Sequence, residues 1–263
     1  MKVFETVDYT LDENVAIITL NRPKARNSLT PELRAELFQA IRQANNDPQV
    51  RTVVIAGAGK GFCAGADLVT QYDDADEDGF ITHQMRTEYH PILQAILESD
   101  KPYISAVNGA AAGFGASIAM ASDLLVMADN AFIYCAFGAI ALIPDGGAHW
   151  QLNRYLGSKK AFEMIAESQR LSAQQCEEMG MANRVVTADT LLEDTLAWAK
   201  SLATQAPLTL KYSKQLLREV GSMSLTESLE REAQLQNFAF RSDDYQEGLK
   251  AFFEKRKPKF RGQ

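Results

Sequence analysis

The chain is expected to be an α/β protein in which strand-strand-helix units build a core and a helical appendage closes the C-terminal part. Three observations lead there. Short apolar runs rich in β-branched residues, Val15 to Leu20 and Val53 to Ala56, sit in the first half. Two glycine-rich turns follow apolar runs, at Gly61 to Leu68 and Asn108 to Gly115. From Gly157 onward the spacing is largely helical, with Asn183 to Val186 the one strand. No internal sequence repeat accompanies the expected structural one.

In order, strands are predicted at Val3 to Tyr9 and Val15 to Leu20, joined through the turn signal Asp12-Glu13-Asn14. Asn21 to Asn27 reads as a loop. Thr30-Pro31 then supplies an N-cap with proline at the first helical position, and Leu33, Leu37 and Ile41 keep one apolar face. Val53 to Ala56 is a short buried strand feeding the first glycine turn. Gln71 to Gly79 is the most acidic run; Asp74, Asp76, Asp78 and Gly79 imitate a calcium loop, but its closing glutamate would fall at Met85. A solvated loop is the expectation there. Gly79 to Asp100 is helical, with Tyr89, Ile92, Leu93 and Ile96 inward. A small-residue helix begins at Gly113 to Gly115. Later helices are expected at Lys159 to Ser168, Ser172 to Met179 with a Ser-x-x-Gln cap, Thr190 to Thr204, Leu208 to Val220 and Ser224 to Phe240.

Composition narrows the function. The 263 residues are enough for one large domain or two small ones. A net charge of -7 speaks against a general nucleic-acid surface, a local basic patch aside. No apolar run reaches the ~18 residues of a membrane span, and the start is neither a secretory signal nor a transit peptide, so a cytoplasmic location is expected. The three cysteines, Cys63, Cys135 and Cys176, form no Cys-x-x-Cys pair, and Cys63 reads as small apolar filler. His83, His90 and His149 are too scattered for a metal site. His149 would share a helix face with Asp145 if a helix started there.

The glycine turns carry the chemistry. A helix starting at Gly113 to Gly115 presents free N–H groups and the positive end of its dipole, which stabilise an anion. That anion is not marked as a nucleotide phosphate. Gly113-Phe114-Gly115-Ala116-Ser117-Ile118 lacks the third glycine of the dinucleotide fingerprint, and Lys60 is followed by Gly61, not by the Ser or Thr of a P-loop. Two turns with free N–H groups are left, able to converge on one oxygen.

The pairing of Gly-Phe-Cys-Ala-Gly-Ala-Asp-Leu (61 to 68) with Asn-Gly-Ala-Ala-Ala-Gly-Phe-Gly-Ala (108 to 116) resembles the enoyl-CoA hydratase/isomerase, or crotonase, family. The similarity runs from Leu20 to Asn27, through Leu142 to Gly147, to the tail from Asp244. It implies a spiral core over residues 1–200 and a C-terminal helical region over 201–263 that builds a homotrimer or a dimer of trimers. The implied substrate is an acyl-CoA, with no cofactor besides the coenzyme A that the substrate brings. The resemblance makes Ala66 and Phe114 the amide donors of an oxyanion hole for the thioester carbonyl. It places Ala64, Asp67, Leu68, Gly113 and Phe137 against the substrate. Lys24 and Arg26 become candidates for the nucleotide end of CoA, with plain surface charge as the alternative; Phe252 and Lys255 can reach CoA, or serve helix packing and solvent.

Phe114 departs from the small residue usual between those glycines, so its ring is expected to narrow the acyl pocket. The two glutamates of the family's hydratases would fall at Ser117 and Phe137, neither of which ionises. Asp145 is the acid left, set among Ile140, Leu142 and Ile143, where apolar surroundings would raise its pKa. A turn residue after Pro144 is its plainer explanation. The stretch Ile143 to Gly147 most resembles the branch of epoxyphenylacetyl-CoA and enoyl-CoA isomerases. The expectation is therefore double-bond migration or epoxide ring opening with Asp145 as acid/base. Hydration, thioester hydrolysis and a non-catalytic, RNA-binding role are the alternatives. Phe114, Phe137, Tyr134 and Trp150 hint at a bulky acyl group.

Overall fold

The computed structural model describes residues 4–70 and 77–263, so Val3, most of the acidic run and the calcium imitation at Asp74 and Asp76 lie outside the described residues. The chain opens with strands β1 (Val7–Asp12) and β2 (Val15–Leu20), an antiparallel hairpin turning at Glu13, whose φ is 55°. Among the described residues the expected first strand starts at Val7, with 4–6 outside it. The amides of Glu5 and Thr6 go to the Glu36 carboxylate, at 3.0 and 2.7 Å, and so make no ladder bonds with a neighbouring strand. Helix α1 (Pro31–Asn46) follows, its N-cap Thr30 accepting from the Leu33 amide. Leu33, Leu37 and Ile41 are fully buried, each contributing about 1.5–3 kcal/mol.

Next come β3 (Thr52–Gly57), β4 (Gly61–Cys63), α2 (Phe80–Gln84), a π-helical turn (Met85–Tyr89) and α3 (His90–Leu97). Then follow β5 (Tyr103–Val107), β6 (Ala110–Ala112), α4 (Phe114–Ala121), β7 (Leu124–Ala128) and β8 (Phe132–Tyr134). Helix α5 (Ala148–Ala166), β9 (Arg170–Ser172), α6 (Ala173–Glu178) and β10 (Arg184–Val186) lead to α7 (Leu191–Ala203), α8 (Pro207–Glu219), α9 (Leu225–Phe240) and α10 (Asp243–Glu254).

The strand-strand-helix unit is plain in β3-β4-helices, β5-β6-α4 and β7-β8-α5. The first strand of each joins a six-stranded sheet, β1-β2-β3-β5-β7-β10; the second joins a four-stranded sheet, β4-β6-β8-β9. From β2 to β10 the larger sheet is parallel, and β5 is buried along its whole length, as a parallel strand covered on both faces must be. Asn108 pins neighbouring corners together, its Nδ2 donating to the carbonyls of Gly57 at 2.9 Å and Gly59 at 2.8 Å.

The smaller sheet corrects the sequence expectation, which read Gly61 to Leu68 and Asn108 to Gly115 as turns only. Helix α5 also starts at Ala148, earlier than the expected Lys159, and bends at Gly157, where φ is 72° and ψ 162°. Asp145 therefore precedes that helix and shares no helix face with His149, which is exposed. No helix among the described residues is long and apolar enough to cross a membrane.

The last helices are tied to the core by a charge. Lys214 of α8, 9% exposed, donates to Asp123 at 2.7 Å and to the carbonyls of Ile96 and Lys101, both at 3.0 Å. Burial pushes the Asp123 carboxyl up and the Lys214 ammonium down; their attraction opposes both shifts.

Candidate active site

The two glycine turns meet. Ala64 donates to Arg26 O at 3.0 Å, Leu29 to Gly65 O at 2.8 Å and Asp67 to Leu29 O at 3.3 Å, so residues 64 to 67 run beside the Arg26 to Leu29 segment. In that register the Ala66 amide faces away from its neighbour strand and makes no hydrogen bond among the described residues. Among the described residues the Phe114 amide, first in α4, is also without a partner, and no side chain caps this helix. Gly65, at φ 89°, comes so near that a Cβ there would sit 3.3 Å from Phe114 N and 2.9 Å from Ala112 O. Ala66 is exposed, and the Phe114 amide lies directly behind it across Gly65. Behind it α4 lies directly on β4: a Cβ on Gly115 would stand 2.3 Å from Cys63 O.

Asp145 sits above the first turn of α4. The Gly146 backbone is pressed so closely on that helix that a Cβ would be 2.7 Å from Ser117 Cβ and 2.9 Å from Phe114 Cδ2. Ser117 Oγ donates to Asp145 O at 3.0 Å. Asp145 Oδ1 is buried without a hydrogen-bond partner, and burial pushes the carboxyl up to about 6. The apolar neighbours expected to cause this do not: Ile140, Leu142 and Ile143 are 48%, 58% and 79% exposed. The desolvation comes with the turn's seat on α4.

The Phe114 ring does not go where the sequence suggested. It is 2% exposed and packs edge-on against Tyr89 of the π-helical turn, centroids 4.7 Å apart at 71°. The ring thus fills core instead of narrowing an open pocket. Phe137 is also buried, with Cζ 3.9 Å from the point where a Gly113 Cβ would stand, so it lies over the second turn.

Of the remaining candidates, Asp67 is committed to structure: Arg22 donates to it at 2.9 Å and Ser28 Oγ at 3.0 Å, and the Arg22 bond leads in holding its carboxyl low. Leu68, 72% exposed, stands at the rim. Lys24 and Arg26 are exposed on the loop beside the first turn. Phe252 and Lys255 lie at the end of α10; Phe252 packs on Phe253, and neither makes a hydrogen bond or ring contact with the two turns among the described residues. Trp150 is half exposed under the Arg154 guanidinium, at 4.6 Å. Cys63 is buried, its thiol pushed up to about 12 by desolvation, which suits filler.

Sequence reasoning missed the supports. Asn27, fully buried, donates through Nδ2 to the carbonyls of Ala58, Gly61 and Phe62 at 2.9–3.0 Å and so holds the entry to the first turn. Arg34 of α1, 1% exposed, pairs with Glu88 and donates to Tyr89 Oη at 3.0 Å, fixing the ring on which Phe114 packs. Its place on the inward helix face at Leu33 and Leu37 was the available signal. Gln151 Nε2 lies 3.4 Å from both Ser117 O and Gly146 O.

Parallel strand-strand-helix units with two converging amide turns define the crotonase fold, and the chain belongs to the enoyl-CoA hydratase/isomerase family, whose model matches residues 10–263. It is 37% identical to the 1,2-epoxyphenylacetyl-CoA isomerase of Escherichia coli, covering 96% of this chain and 97% of that protein. A probable enoyl-CoA hydratase of Rhodobacter capsulatus is 36% identical, with 98% and 99% covered. The crystal structure of an enoyl-CoA hydratase from Polaromonas sp. superposes with a TM-score of 0.91 at 35% identity, over 97% of this chain and 99% of that one.

Proposed function

We propose that the protein is an acyl-CoA isomerase that shifts a double bond, or opens an epoxide ring, in an enoyl-CoA-type thioester. The thioester oxygen accepts from the Ala66 and Phe114 amides, which stabilise the enolate formed when a proton leaves the neighbouring carbon. Asp145 takes that proton and returns it further along the acyl chain. One observation carries the reading: Asp145 is a desolvated carboxyl with an unpartnered oxygen, seated on the helix whose first amide is free. The positions of the hydratase glutamates hold Ser117 and Phe137, so no pair of acids is present there to activate water and protonate carbon. The E. coli relative is named an isomerase and the R. capsulatus relative a probable hydratase, so kinship alone leaves the reaction type open.

Lys24 and Arg26 would take the nucleotide end of CoA. Residues 201–263 would form the oligomerisation region of a trimer or dimer of trimers, with Phe252 and Lys255 reaching a CoA there; a cytoplasmic location completes the proposal. The test is product analysis of an unsaturated acyl-CoA with wild type and Asp145→Asn. Isomerised product from wild type, abolished in the variant with acyl-CoA affinity retained, is expected. Hydrated product or free CoA from wild type, or undiminished isomerisation by Asp145→Asn, would overturn it.

A further inference from the structure

We infer that Ser117 is a positioning residue for Asp145, because its hydroxyl latches the Asp145 turn onto α4 and its short side chain packs directly under that turn. The inference rests on Asp145 being the base. Ser117 is fully buried, and its Oγ donates to the Asp145 carbonyl at 3.0 Å while leaving the carboxylate alone. Gly146, at φ 60°, approaches so closely that a Cβ would meet Ser117 Cβ at 2.7 Å and Ser117 Oγ at 2.8 Å. Gln151 closes the latch from the other side, with Nε2 3.4 Å from the carbonyls of Ser117 and Gly146.

A glutamate at 117 would extend a methylene and a carboxylate beyond Cβ beside the closely packed Gly146 turn, and would carry no hydroxyl to donate to the Asp145 carbonyl. A serine at 117 is therefore more than the loss of a hydratase acid: it supplies the donor that holds the turn carrying the other acid.

The test uses the full chain and an unsaturated acyl-CoA, with kcat, KM, pH profile and product identity recorded for wild type, Ser117→Ala, Ser117→Glu and Asp145→Asn. Ser117→Ala removes one hydrogen bond, and its kcat should fall about 5–10-fold with KM held within about twofold. Its pH profile should also move toward that of an ordinary carboxylate as water reaches the loosened turn. Ser117→Glu should lose isomerisation without gaining hydration. An unchanged kcat and pH profile in Ser117→Ala, or hydration by Ser117→Glu alongside intact isomerisation, would overturn the latch. If Ser117→Glu does not fold, the Ser117→Ala profile decides. Asp145→Asn separates the two levels: activity in that variant sinks the assignment of the base, whereas a dead Asp145→Asn beside a normal Ser117→Ala sinks the latch alone.

Discussion

Replacing Asp145 by asparagine should make the protein more stable while it abolishes turnover. The carboxyl is displaced by burial from its ordinary 3.8 to about 6, so the folded state disfavours its charged form. At roughly 1.4 kcal/mol per pKa unit the displacement corresponds to about 3 kcal/mol, and partial solvent access to the residue reduces this to about 2 kcal/mol. The sign follows from the direction of the shift. Above pH 6 the wild-type group is charged in both states and the folded protein bears the cost. Below the unfolded value near 4 it is neutral in both, and the cost is gone. Asparagine, uncharged throughout, should therefore raise Tm by about 4–8 °C at pH 8, with the gap closing as pH falls from about 6 to about 4. Differential scanning fluorimetry of both proteins across that range measures it. Equal Tm values at pH 8, or a gap that widens on acidification, would show that the charge is compensated in the folded state and that burial is not what tunes this acid.

The same displacement sets the activity profile: kcat/KM for isomerisation should rise with pH through an inflection at about 6 and then level off, whereas an inflection near 4 would mean a solvated base. Gly115→Ala should cost about 100-fold in kcat, since its Cβ would stand 2.3 Å from Cys63 O and must push the Phe114 amide off line; activity within twofold of wild type would refute this. Lys214→Met leaves Asp123, whose side chain is 27% exposed, without its ammonium partner and should lower stability by about 2 kcal/mol in urea titration, with Asp123→Asn in the same chain recovering part of it. A loss below about 1 kcal/mol would show that this pair does not anchor α8.

What could be read from the chain depended on the range of the forces involved. Capped helix starts were legible because capping is local chemistry: Thr30 with Pro31 and Ser172 with Gln175 cap as their spacing suggests, whereas α5, which has no side-chain cap, starts at Ala148, earlier than expected. The four-stranded sheet was not, because strands such as Gly61–Cys63 and Ala110–Ala112 are three residues long and owe their conformation to partners far along the chain. The first turn of the site was visible as glycine spacing. Its supports, Asn27 and Arg34, were hidden because a buried amide and a buried guanidinium look like surface residues until their acceptors are known. Asp145 lay between these cases. Its raised pKa was anticipated, but the cause assigned was the flanking Ile140, Leu142 and Ile143, which are exposed, whereas the glycine beside it supplies the close contact with α4.

No room for a side chain is left between Gly115 of α4 and Cys63 of β4, so on the proposed function the two halves of the oxyanion site are held against each other. Drift toward a new acyl group has to work around this contact. On the same reading, exposed positions such as Leu68 at the rim, and Leu142 and Ile143 before the Asp145 turn, offer room for change away from that contact. A library diversified at the rim should keep the chemistry and scatter the chain-length preference, while one diversified behind the glycines should mostly yield silent proteins.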